Sequence, residues 1–437
     1  MSNLAQSENL STRRVLFASL AGTTIEFFDF YIYATAAVLV FPQLFFPNAD
    51  PTTAILQSFA TFSIAFFARP VGAVLFGHFG DRIGRKATLV AALLMMGLAT
   101  VAIGLLPTYA SAGVWAPFLL ATCRFFQGLG LGGEWGGAVL LATENAPYSR
   151  KAWFGMFPQL GAPIGFLCSS GTFLLITELL TDQQFTSFGW RIPFIASATL
   201  VFVGLYVRLR VSETPEFKRA LENKERVRVP LVAVFARHFR LLVLGTFAAL
   251  STFVLFYLMT VFALSWGISA LKFSRDEFLP IQMVGVVFFG LTIPLSAWLA
   301  DRVGPRTVLL WTTALIGVLG LLFEPLFGSG QLGTVIIFMI LGLGLMGFTY
   351  GPLGTALSEP FPVGVRYTGV SLAFNLAGIF GASLAPYIAT TLATKFGIGA
   401  VGLYLTGASA LTFLALLGLP RHASDREPNL VSQEQPT

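Results

Sequence analysis

The chain has 437 residues, of which 55% are hydrophobic and only 11% charged, and its formal net charge is +6. A typical soluble domain carries about 25% charged residues, so this chain has too few charges to cover a water-facing surface. The composition excludes an ordinary soluble enzyme and favours a protein whose outer surface faces lipid. The 44 glycines and 44 phenylalanines suit a membrane helix bundle, in which Phe fills space and Gly lets backbones approach.

Apolar segments long enough to cross a membrane recur along the chain. A spanning helix needs about 20 mainly apolar residues. Six segments in each half meet this requirement: 15–41, 57–79, 87–106, 116–140, 153–177, 192–209, 240–266, 281–300, 307–327, 334–356, 368–394 and 399–418. The sequence therefore predicts an all-α membrane protein with twelve transmembrane helices.

These segments divide the chain into four parts. We expect an N-terminal six-helix half at 1–207, a cytoplasmic linker at 208–239, a C-terminal six-helix half at 240–419 and a polar cytoplasmic tail at 420–437. The linker carries charges of both signs. Its pattern is compatible with amphipathic helices on the membrane surface and equally with a solvated connection.

The basic residues predict the orientation of the helices. If the N-terminus is cytoplasmic, 21 of the 27 Lys and Arg fall in inside segments and four fall outside, while Arg69 and Arg124 lie within helices. Cytoplasmic loops are enriched in Lys and Arg, so this distribution places both termini in the cytoplasm. It also places most of the positive charge at one membrane face, so the net charge does not indicate binding to nucleic acid.

An internal repeat relates the two halves. GHFGDRIGRK at 77–86 has a counterpart in AWLADRVGPR at 297–306, which places Asp81 and Asp301 220 residues apart, close to half the chain length. Both segments follow the second helix of their half. Two pseudo-symmetric halves of this kind place the substrate pathway at their interface, near the middle of the bilayer.

The first helix carries two carboxylates at membrane depth. Each ionised group costs about 2.5–3.5 kcal/mol at a helix centre, so it needs a partner or a cavity. Glu26 and Asp29 share one helix face with Gly22 and Tyr33. Mutual repulsion and burial both favour protonation, which is the property of a proton-coupling site. Alternatively, neighbouring basic groups neutralise the pair and its protonation never changes.

Two arginines also lie at membrane depth. Arg69 precedes a proline in the second helix, and Arg124, Gln127 and Glu134 share a face of the fourth. A planar guanidinium suits a carboxylate, so we predict that Arg124, Arg69 and Gln127 bind substrate and that Glu134 joins the proton-coupling groups. Arg124 is the preferred residue for substrate binding or proton linkage, because the Arg-Pro pair at Arg69 is also suited to bending the helix. The alternative is an internal salt bridge to Glu26 or Asp29 that supports the fold.

Other polar and aromatic side chains are candidates for the cavity lining, although interhelical packing is the simpler interpretation for each one. These candidates are Tyr31, Tyr33, Trp135, Gln159 and Asn375. Asn375 is the best polar candidate in the second half, which lacks strong charges at membrane depth. The sequence therefore places proton chemistry mainly in the first half.

The GHFGDRIGRK loop predicts a gate at the cytoplasmic side. Its glycines permit a tight turn, its Asp can accept hydrogen bonds from a helix N-terminus, and its basic residues can cap helix C-terminal carbonyls. The predicted gating residues are Gly77, Asp81, Arg82, Gly84 and Arg85. The alternative is that the loop only fixes topology through its positive charge.

Several motifs resemble a known family. GHFGDRIGRK and RFFQG at 124–128 resemble signatures of the major facilitator superfamily, and IEFFDFYIYA, FARPVG, RFFQGLGLGGEWGGA, GWRIPF and SETPEF resemble its metabolite:proton symporters. That family includes carriers for shikimate, α-ketoglutarate, citrate, and proline with betaine. The resemblance implies a bacterial inner-membrane protein that couples solute uptake to proton entry, with the GHFGDRIGRK loop steadying its outward-open state. The second-half motif departs from the pattern at Ala297 and Pro305.

The leading functional hypothesis is proton-coupled import of a small organic acid by alternating access, carried out by a monomer in the lipid bilayer. A zwitterionic osmolyte symporter and an efflux antiporter are the alternatives among carriers. A receptor fits a duplicated six-helix half less well. The sequence has no nucleophile motif and no metal-ligand cluster, so we expect no enzyme activity and no cofactor, with the proton as coupling ion.

Overall fold

The computed structural model describes residues 2–83, 85–132, 134–144, 146–210 and 230–420. Within these ranges, side-chain surroundings are described except at 2–15, 18, 77–89, 134, 141, 144, 148, 207–210, 230 and 363–364. The described residues are almost entirely helical and contain no strand.

The first half contains six long helices. They are α1 (Ser2–Leu39), α2 (Pro51–Ile83), α3 (Arg85–Leu105), α4 (Trp115–Leu131 continued by Glu134–Glu144), α5 (Lys151–Leu179) and α6 (Ile192–Arg210). Short helical turns connect them on the side where α1 ends, at Phe41–Phe45, Tyr109–Ala112, Asp182–Ser187 and Gly189–Arg191.

The second half repeats this arrangement after a short helix at Pro230–Arg237. Its long helices are α7 (Phe239–Tyr257, a π-helical turn Leu258–Phe262, then Ala263–Ser269), α8 (Arg275–Val303), α9 (Pro305–Leu321), α10 (Leu332–Ser358), α11 (Val363–Ala377, a π-helical turn Gly378–Ser383, then Ala385–Phe396) and α12 (Ile398–Gly418). We call the end of the bundle where α2 and α8 terminate the basic end.

The predicted set of twelve helices is confirmed. Eight helices in the described part of the chain are long and apolar enough to cross a membrane by themselves, and the apolar stretches of α3 and α9 are shorter. The remaining two are α1, which carries two carboxylates in its middle, and α4, which is divided near Gly132. Several helices begin before their apolar segments because polar caps extend them. In α8, Ser274 and Glu277 form a reciprocal capping box ahead of the apolar run.

The two halves meet through a pair of equivalent contacts. Helix α5 of the first half packs along α8 of the second, and α2 packs against α11. Exchanging the halves converts one contact into the other, as a pseudo-twofold relation requires. The predictions for 211–229 and for the tail beyond 420 fall outside the described residues. Helix Pro230–Arg237 packs against α11 through Val234, which is fully buried.

Small residues determine how closely α2 and α4 approach. A Cβ atom at Gly128 would overlap backbone atoms of Ala65, and one at Gly132 would overlap the backbone at Arg69. This close approach lets the Nε of Arg124, one turn from Gly128, donate a hydrogen bond to the main-chain oxygen of Phe62 at 3.3 Å. The RFFQG motif is therefore first a packing motif: its glycine brings its arginine to the neighbouring backbone.

Replacing Gly128 with Ala is expected to destabilise the folded protein despite the better helix propensity of alanine. An added methyl group in a tightly packed contact typically costs about 1–3 kcal/mol, whereas Gly→Ala in an open helix gains up to about 1 kcal/mol. Thermal unfolding in detergent measures the effect. Gly344→Ala is the matched control, because nothing lies within 4 Å of a Cβ at Gly344. Equal melting temperatures for the two variants would contradict the close approach.

Candidate functional site

A cavity lies between the two halves, at the middle of the bundle. It is lined from the first half by α1, α2, α4 and α5, and from the second by α7, α8, α10 and α11. Five residues that the sequence singled out contribute to it: Glu26, Tyr31, Arg69, Trp135 and Asn375. Its free volume is about 40 Å³, which holds a few water molecules. A metabolite is larger, so its binding requires the lining side chains to move apart.

Arg69 is the cation among the described residues that line this cavity. Its guanidinium carbon lies 4.7 Å from the ring centres of both Phe30 and Phe66, and its Nε has no hydrogen-bond partner among the described residues. Glu26 lines the same cavity and is also buried. A carboxylate ligand that entered this cavity would meet Arg69. The rings of Phe30 and Phe66 contact its guanidinium without accepting a hydrogen bond from Nε, so Nε can donate to the ligand.

Arg124 lies outside the cavity lining, in the interior of the first half, where its side chain is 0% exposed. Its guanidinium carbon is within 4.1–4.9 Å of the ring centres of Phe30, Tyr33 and Phe62. One terminal nitrogen donates to Gln127 Oε1 at 2.5 Å, and the other has no hydrogen-bond partner in the described part of the chain. The prediction that Arg124 anchors substrate is therefore not supported by its position in this conformation.

Asp29 is buried in the same interior, also with 0% exposure. Ser197 Oγ on α6 donates to Asp29 Oδ1 at 2.6 Å, while Oδ2 has no hydrogen-bond partner among the described residues. Gln127 connects this position to Arg124: its Nε2 donates to the main-chain oxygen of Asp29 at 3.3 Å and to Thr100 Oγ1 at 2.9 Å. The main chain at Asp29 and the guanidinium of Arg124 are thus joined through one amide.

The shared helix face predicted for Glu26 and Asp29 is divided in the structure. Glu26 lines the interface between the halves, whereas Asp29 points towards α6 inside its own half. Tyr33 also lies inside that half, where its hydroxyl donates to Thr61 Oγ1 at 2.9 Å. Three residues along a helix differ by about 60° in direction, and α1 stands at the boundary between the interface and the core of its half. That small angle separates the two carboxylates into different surroundings.

Contacts between the halves close the cavity towards the basic end. Trp135 stacks on Phe374 with ring centres 3.4 Å apart, and its Nε1 donates to Gln159 Oε1 at 2.9 Å. Gln159 then donates to the main-chain oxygen of Tyr350 at 3.2 Å. Asn375 Nδ2 donates to the main-chain oxygen of Gly132 at 3.1 Å. These polar and stacking contacts bridge the halves and have to separate for the basic end to open.

Some lining residues were missed by sequence reasoning. The main ones are Tyr257, Tyr350, Phe374, Thr252 and Ser371. They lie in apolar or weakly polar stretches that resemble ordinary helix core. Tyr257 directly precedes the π-helical turn of α7, and Asn375 lies just before that of α11. Such turns often mark functional sites in α-helices, but the sequence does not reveal them.

The repeated acidic motif has a defined role in the second half. At the basic end, Asp301 of α8 accepts hydrogen bonds from the main-chain N–H groups of Ala152 at 2.8 Å and Trp153 at 3.0 Å. These groups belong to the first turn of α5, where the helix dipole favours an anion. Asp301 therefore links the halves in the manner that the sequence predicted for Asp81.

The equivalent contacts of the first-half loop GHFGDRIGRK are not described by the structure. Gly84 lies outside the described residues, and no side-chain surroundings are described for Asp81, Arg82 and Arg85 or for position Gly77. The same holds for the side chain of Glu134. Their gating and coupling roles stay predictions. At the opposite end of the bundle, Arg275 of α8 forms an ion pair with Asp182, beyond the end of α5, and lies over the ring of Phe185.

Replacing Asp301 with Ala is expected to shift the protein towards conformations that are open at the basic end. The variant loses two charge-assisted hydrogen bonds worth about 1–3 kcal/mol, a shift of roughly 5- to 150-fold in the conformational equilibrium. Distances between spin labels on α5 and α8 at the basic end would report the change.

Asp182→Ala is the matched control for this variant. It removes an acidic residue that links the halves at the opposite end, where Asp182 is 88% exposed and its ion pair is worth at most about 1 kcal/mol. We therefore expect it to shift the equilibrium less and in the opposite direction. An unchanged distance distribution in Asp301→Ala would contradict the linking role.

A twelve-helix bundle with a cavity between equivalent halves is typical of membrane transporters. The sequence profile of the Major Facilitator Superfamily matches residues 19–381. The chain belongs to the Major Facilitator Superfamily, and it is a multi-pass inner-membrane transporter of metabolites, not an enzyme.

Three curated proteins show which transporters are similar to this chain in sequence. The chain is 57% identical over 412 residues to the inner membrane metabolite transport protein YhjE of Escherichia coli, covering 93% of this chain and 94% of that protein. It is 36% identical over 413 residues to the shikimate transporter of Escherichia coli, covering 93% and 94%. It is 30% identical over 392 residues to the proline/betaine transporter of Salmonella typhimurium, covering 87% and 77%.

Solved structures support the fold. The crystal structure of a D-xylose-proton symporter matches with a TM-score of 0.72 at 17% sequence identity, covering 93% of this chain and 98% of that one. A partially occluded inward open conformation of the xylose transporter XylE from Escherichia coli matches with a TM-score of 0.70 at 16% identity, covering 93% and 96%. At these identities the likeness concerns the fold alone.

Proposed function

We propose that the protein imports a small organic acid together with protons by alternating access. In this proposal both termini face the cytoplasm, so the basic end of the bundle is the cytoplasmic end. The protein acts as a monomer with the proton as its coupling ion and needs no cofactor. The observation that carries the proposal is the presence of two sites: an arginine facing the cavity between the halves, and a second site inside the first half where Asp29 and Arg124 are both buried and Gln127 links Arg124 to the main chain of Asp29.

The cavity supports the choice of substrate. Arg69 presents a guanidinium with an unused Nε, and hydroxyl, amide and aromatic groups surround it. A guanidinium binds a carboxylate through charge and through matching planar geometry. A relative at 36% identity is described as a shikimate transporter, and shikimate is a carboxylic acid. We assign Arg69 as the anchor of the substrate carboxylate.

The buried cluster supports proton coupling. Among the described residues, Arg124 donates hydrogen bonds to neutral oxygens alone, and Asp29 accepts one from a neutral hydroxyl. A buried charge without an opposite charge is costly, so ionisation of Asp29 would favour a rearrangement that brings Arg124 towards its carboxylate. Protonation of Asp29 would remove the need for that rearrangement, and the hydrogen bonds of Arg124 to the Phe62 carbonyl and to Gln127 support this state of the cluster.

The proton therefore decides which partner holds Arg124. A change of partner at Arg124 alters the contact between α2 and α4, because its guanidinium joins the Phe62 backbone of α2 to Gln127 of α4. Arg69 lies on the same helix α2, one turn after Ala65, which is the residue that Gly128 of α4 contacts. The side chain of Arg69 lines the cavity. Proton release and substrate release are coupled in this proposal through movement of one helix.

A zwitterionic substrate is the second candidate. Glu26 lines the cavity with Arg69, and the walls between them are largely aromatic. A quaternary ammonium group binds well to aromatic rings and carboxylates. The relative at 30% identity is described as a proline/betaine transporter. Nothing in the cavity specifically favours efflux in exchange for protons.

Transport into proteoliposomes tests the proposal. Purified protein is reconstituted, a pH difference with an acidic exterior is imposed, and uptake is measured for a panel of carboxylates and for betaine. We expect accumulation of at least one carboxylate that collapses when a protonophore removes the gradient. Uptake that proceeds equally with and without the gradient would refute symport, and gradient-driven uptake of betaine alone would support the zwitterion candidate.

A further inference from the structure

The charges that line the cavity restrict the charge of its substrate. Among the described residues of the lining, Arg69 is the only cation and Glu26 the only carboxylate. With Glu26 ionised the pair is neutral overall, and with Glu26 protonated it carries a charge of +1. Neither state compensates two or three negative charges. A second buried carboxylate would lack a positive partner, and a buried unpaired charge is strongly unfavourable.

The second arginine of the first half does not change this balance. Arg124 is fully buried and enclosed by the rings of Phe30, Tyr33 and Phe62. Phe30 contacts both guanidinium groups, with its ring centre 4.7 Å from the Arg69 carbon and 4.4 Å from the Arg124 carbon. A carboxylate that displaced this ring to reach Arg124 would break both cation–π contacts.

The walls of the cavity favour a partly apolar substrate that carries a ring. Trp135 and Phe374 are stacked almost parallel, with 9° between their planes, and Tyr31 is stacked on Phe27 with ring centres 5.5 Å apart. The part of their aromatic surface that lines the cavity can pack against an apolar ring of the substrate. Ser371 Oγ lies in the same lining, buried and without a hydrogen-bond partner in the described part of the chain. A substrate hydroxyl would give Ser371 Oγ a hydrogen-bond partner.

We infer that the cavity accepts a ring-bearing carboxylate with one negative charge and excludes di- and tricarboxylates. The carboxylate pairs with Arg69, the ring lies against the Trp135–Phe374 wall, and ring hydroxyls bind Ser371. The inference rests on the proposed function, because it specifies the substrate of the same cavity. It also separates this chain from carriers of multiply charged acids.

Binding to the purified wild-type protein tests the inference without any proton gradient. Thermal stabilisation in detergent at pH 7.5 is measured against cyclohexanecarboxylate, cyclohexane-1,2-dicarboxylate, hexanoate and betaine. The first two share a ring and differ in charge, and the first and third share a charge and differ in shape. We expect cyclohexanecarboxylate to bind at least tenfold more tightly than the dicarboxylate and at least threefold more tightly than hexanoate.

Several outcomes would overturn the inference. Equal or tighter binding of the dicarboxylate would refute the charge limit, equal binding of hexanoate would refute the ring preference, and stabilisation by betaine alone would refute both. Failure of the proposed function is distinguishable. If cyclohexanecarboxylate binds with the expected selectivity but no gradient drives its uptake, the inference stands and proton coupling fails. If a gradient drives dicarboxylate uptake, coupling stands and the inference fails.

A charge variant provides a second measurement. Glu26→Gln raises the net charge of the lining without changing its shape, so we expect the dicarboxylate to bind at least fivefold more tightly than to the wild type. Glu277→Gln is the matched control: it lies outside the cavity, and glutamine can also complete the capping box with Ser274. If the affinity for the dicarboxylate relative to that for cyclohexanecarboxylate is the same in Glu26→Gln as in the wild type, the charge-balance argument is wrong. The wild-type ligand series remains decisive if the variant does not fold.

Discussion

Replacing Asp29 with Asn is expected to abolish gradient-driven accumulation while leaving substrate exchange intact. A difference of 1 pH unit supplies about 1.4 kcal/mol per proton, which supports up to about tenfold accumulation when one proton accompanies one monoanion. Asparagine keeps an oxygen for the hydroxyl of Ser197 and cannot bind or release the proton. We expect the accumulation ratio in Asp29→Asn proteoliposomes to fall from about ten to one, with counterflow exchange of labelled substrate preserved.

Asp50→Asn is the matched control for this experiment. Asp50 is exposed between α1 and α2, where its carboxylate accepts a hydrogen bond from the main-chain N–H of Thr53 and not from any cavity residue. Its accumulation ratio is expected to equal that of the wild type. Tenfold accumulation in Asp29→Asn would show that another group carries the proton. Loss of counterflow together with accumulation would indicate that Asp29 supports the fold instead of coupling.

Replacing Arg69 with Gln is expected to weaken binding of the substrate carboxylate by roughly 10- to 150-fold. A hydrogen bond to a charged group contributes about 1.5–3 kcal/mol, and glutamine removes both the charge and the planar fork. Arg69→Lys is expected to lie in between, since lysine keeps the charge but cannot stack its head group on Phe30 and Phe66 in the same way. Displacement of a labelled carboxylate from purified protein measures these affinities.

The comparison with Arg124→Gln decides between two assignments of the anchor. The sequence favoured Arg124, whereas the structure places Arg69 in the cavity and Arg124 behind a ring of aromatic side chains. If Arg69 is the anchor, Arg124→Gln impairs proton-driven accumulation more than binding. Weaker substrate binding in Arg124→Gln with unchanged binding in Arg69→Gln would show that Arg124 is the anchor. Lys395→Gln, at an exposed position at the end of α11, controls for the loss of one positive charge.

The twelve helices and their repeat were predictable because the bilayer imposes a strong constraint. Every spanning segment has to be apolar over about 20 residues and has to satisfy its backbone hydrogen bonds within the helix. Local composition therefore reveals α2 or α12 without knowledge of any neighbour. The boundaries were less predictable, since caps such as Ser274 extend a helix by polar residues that carry no spanning signal.

The composition of the site was only partly predictable. A charge at membrane depth is costly, so Glu26, Asp29, Arg69 and Arg124 stand out in any sequence of this kind. Tyr350 and Phe374 do not, because an aromatic residue in an apolar helix is equally suited to lipid, core or cavity.

The sequence by itself determined the class of protein, the number of helices, the repeated halves and the ionisable residues on which transport chemistry depends. Only the tertiary structure decided which of those residues face the cavity. Glu26 and Asp29 are three residues apart, yet one lines the interface and the other faces Ser197. That division depends on the rotation of α1 within the packed bundle, which no single segment encodes. The close approach of α2 and α4 at Gly128, which brings Arg124 to the backbone of Phe62, likewise depends on two segments. Long-range packing of the helices therefore separates a proton site from a substrate site.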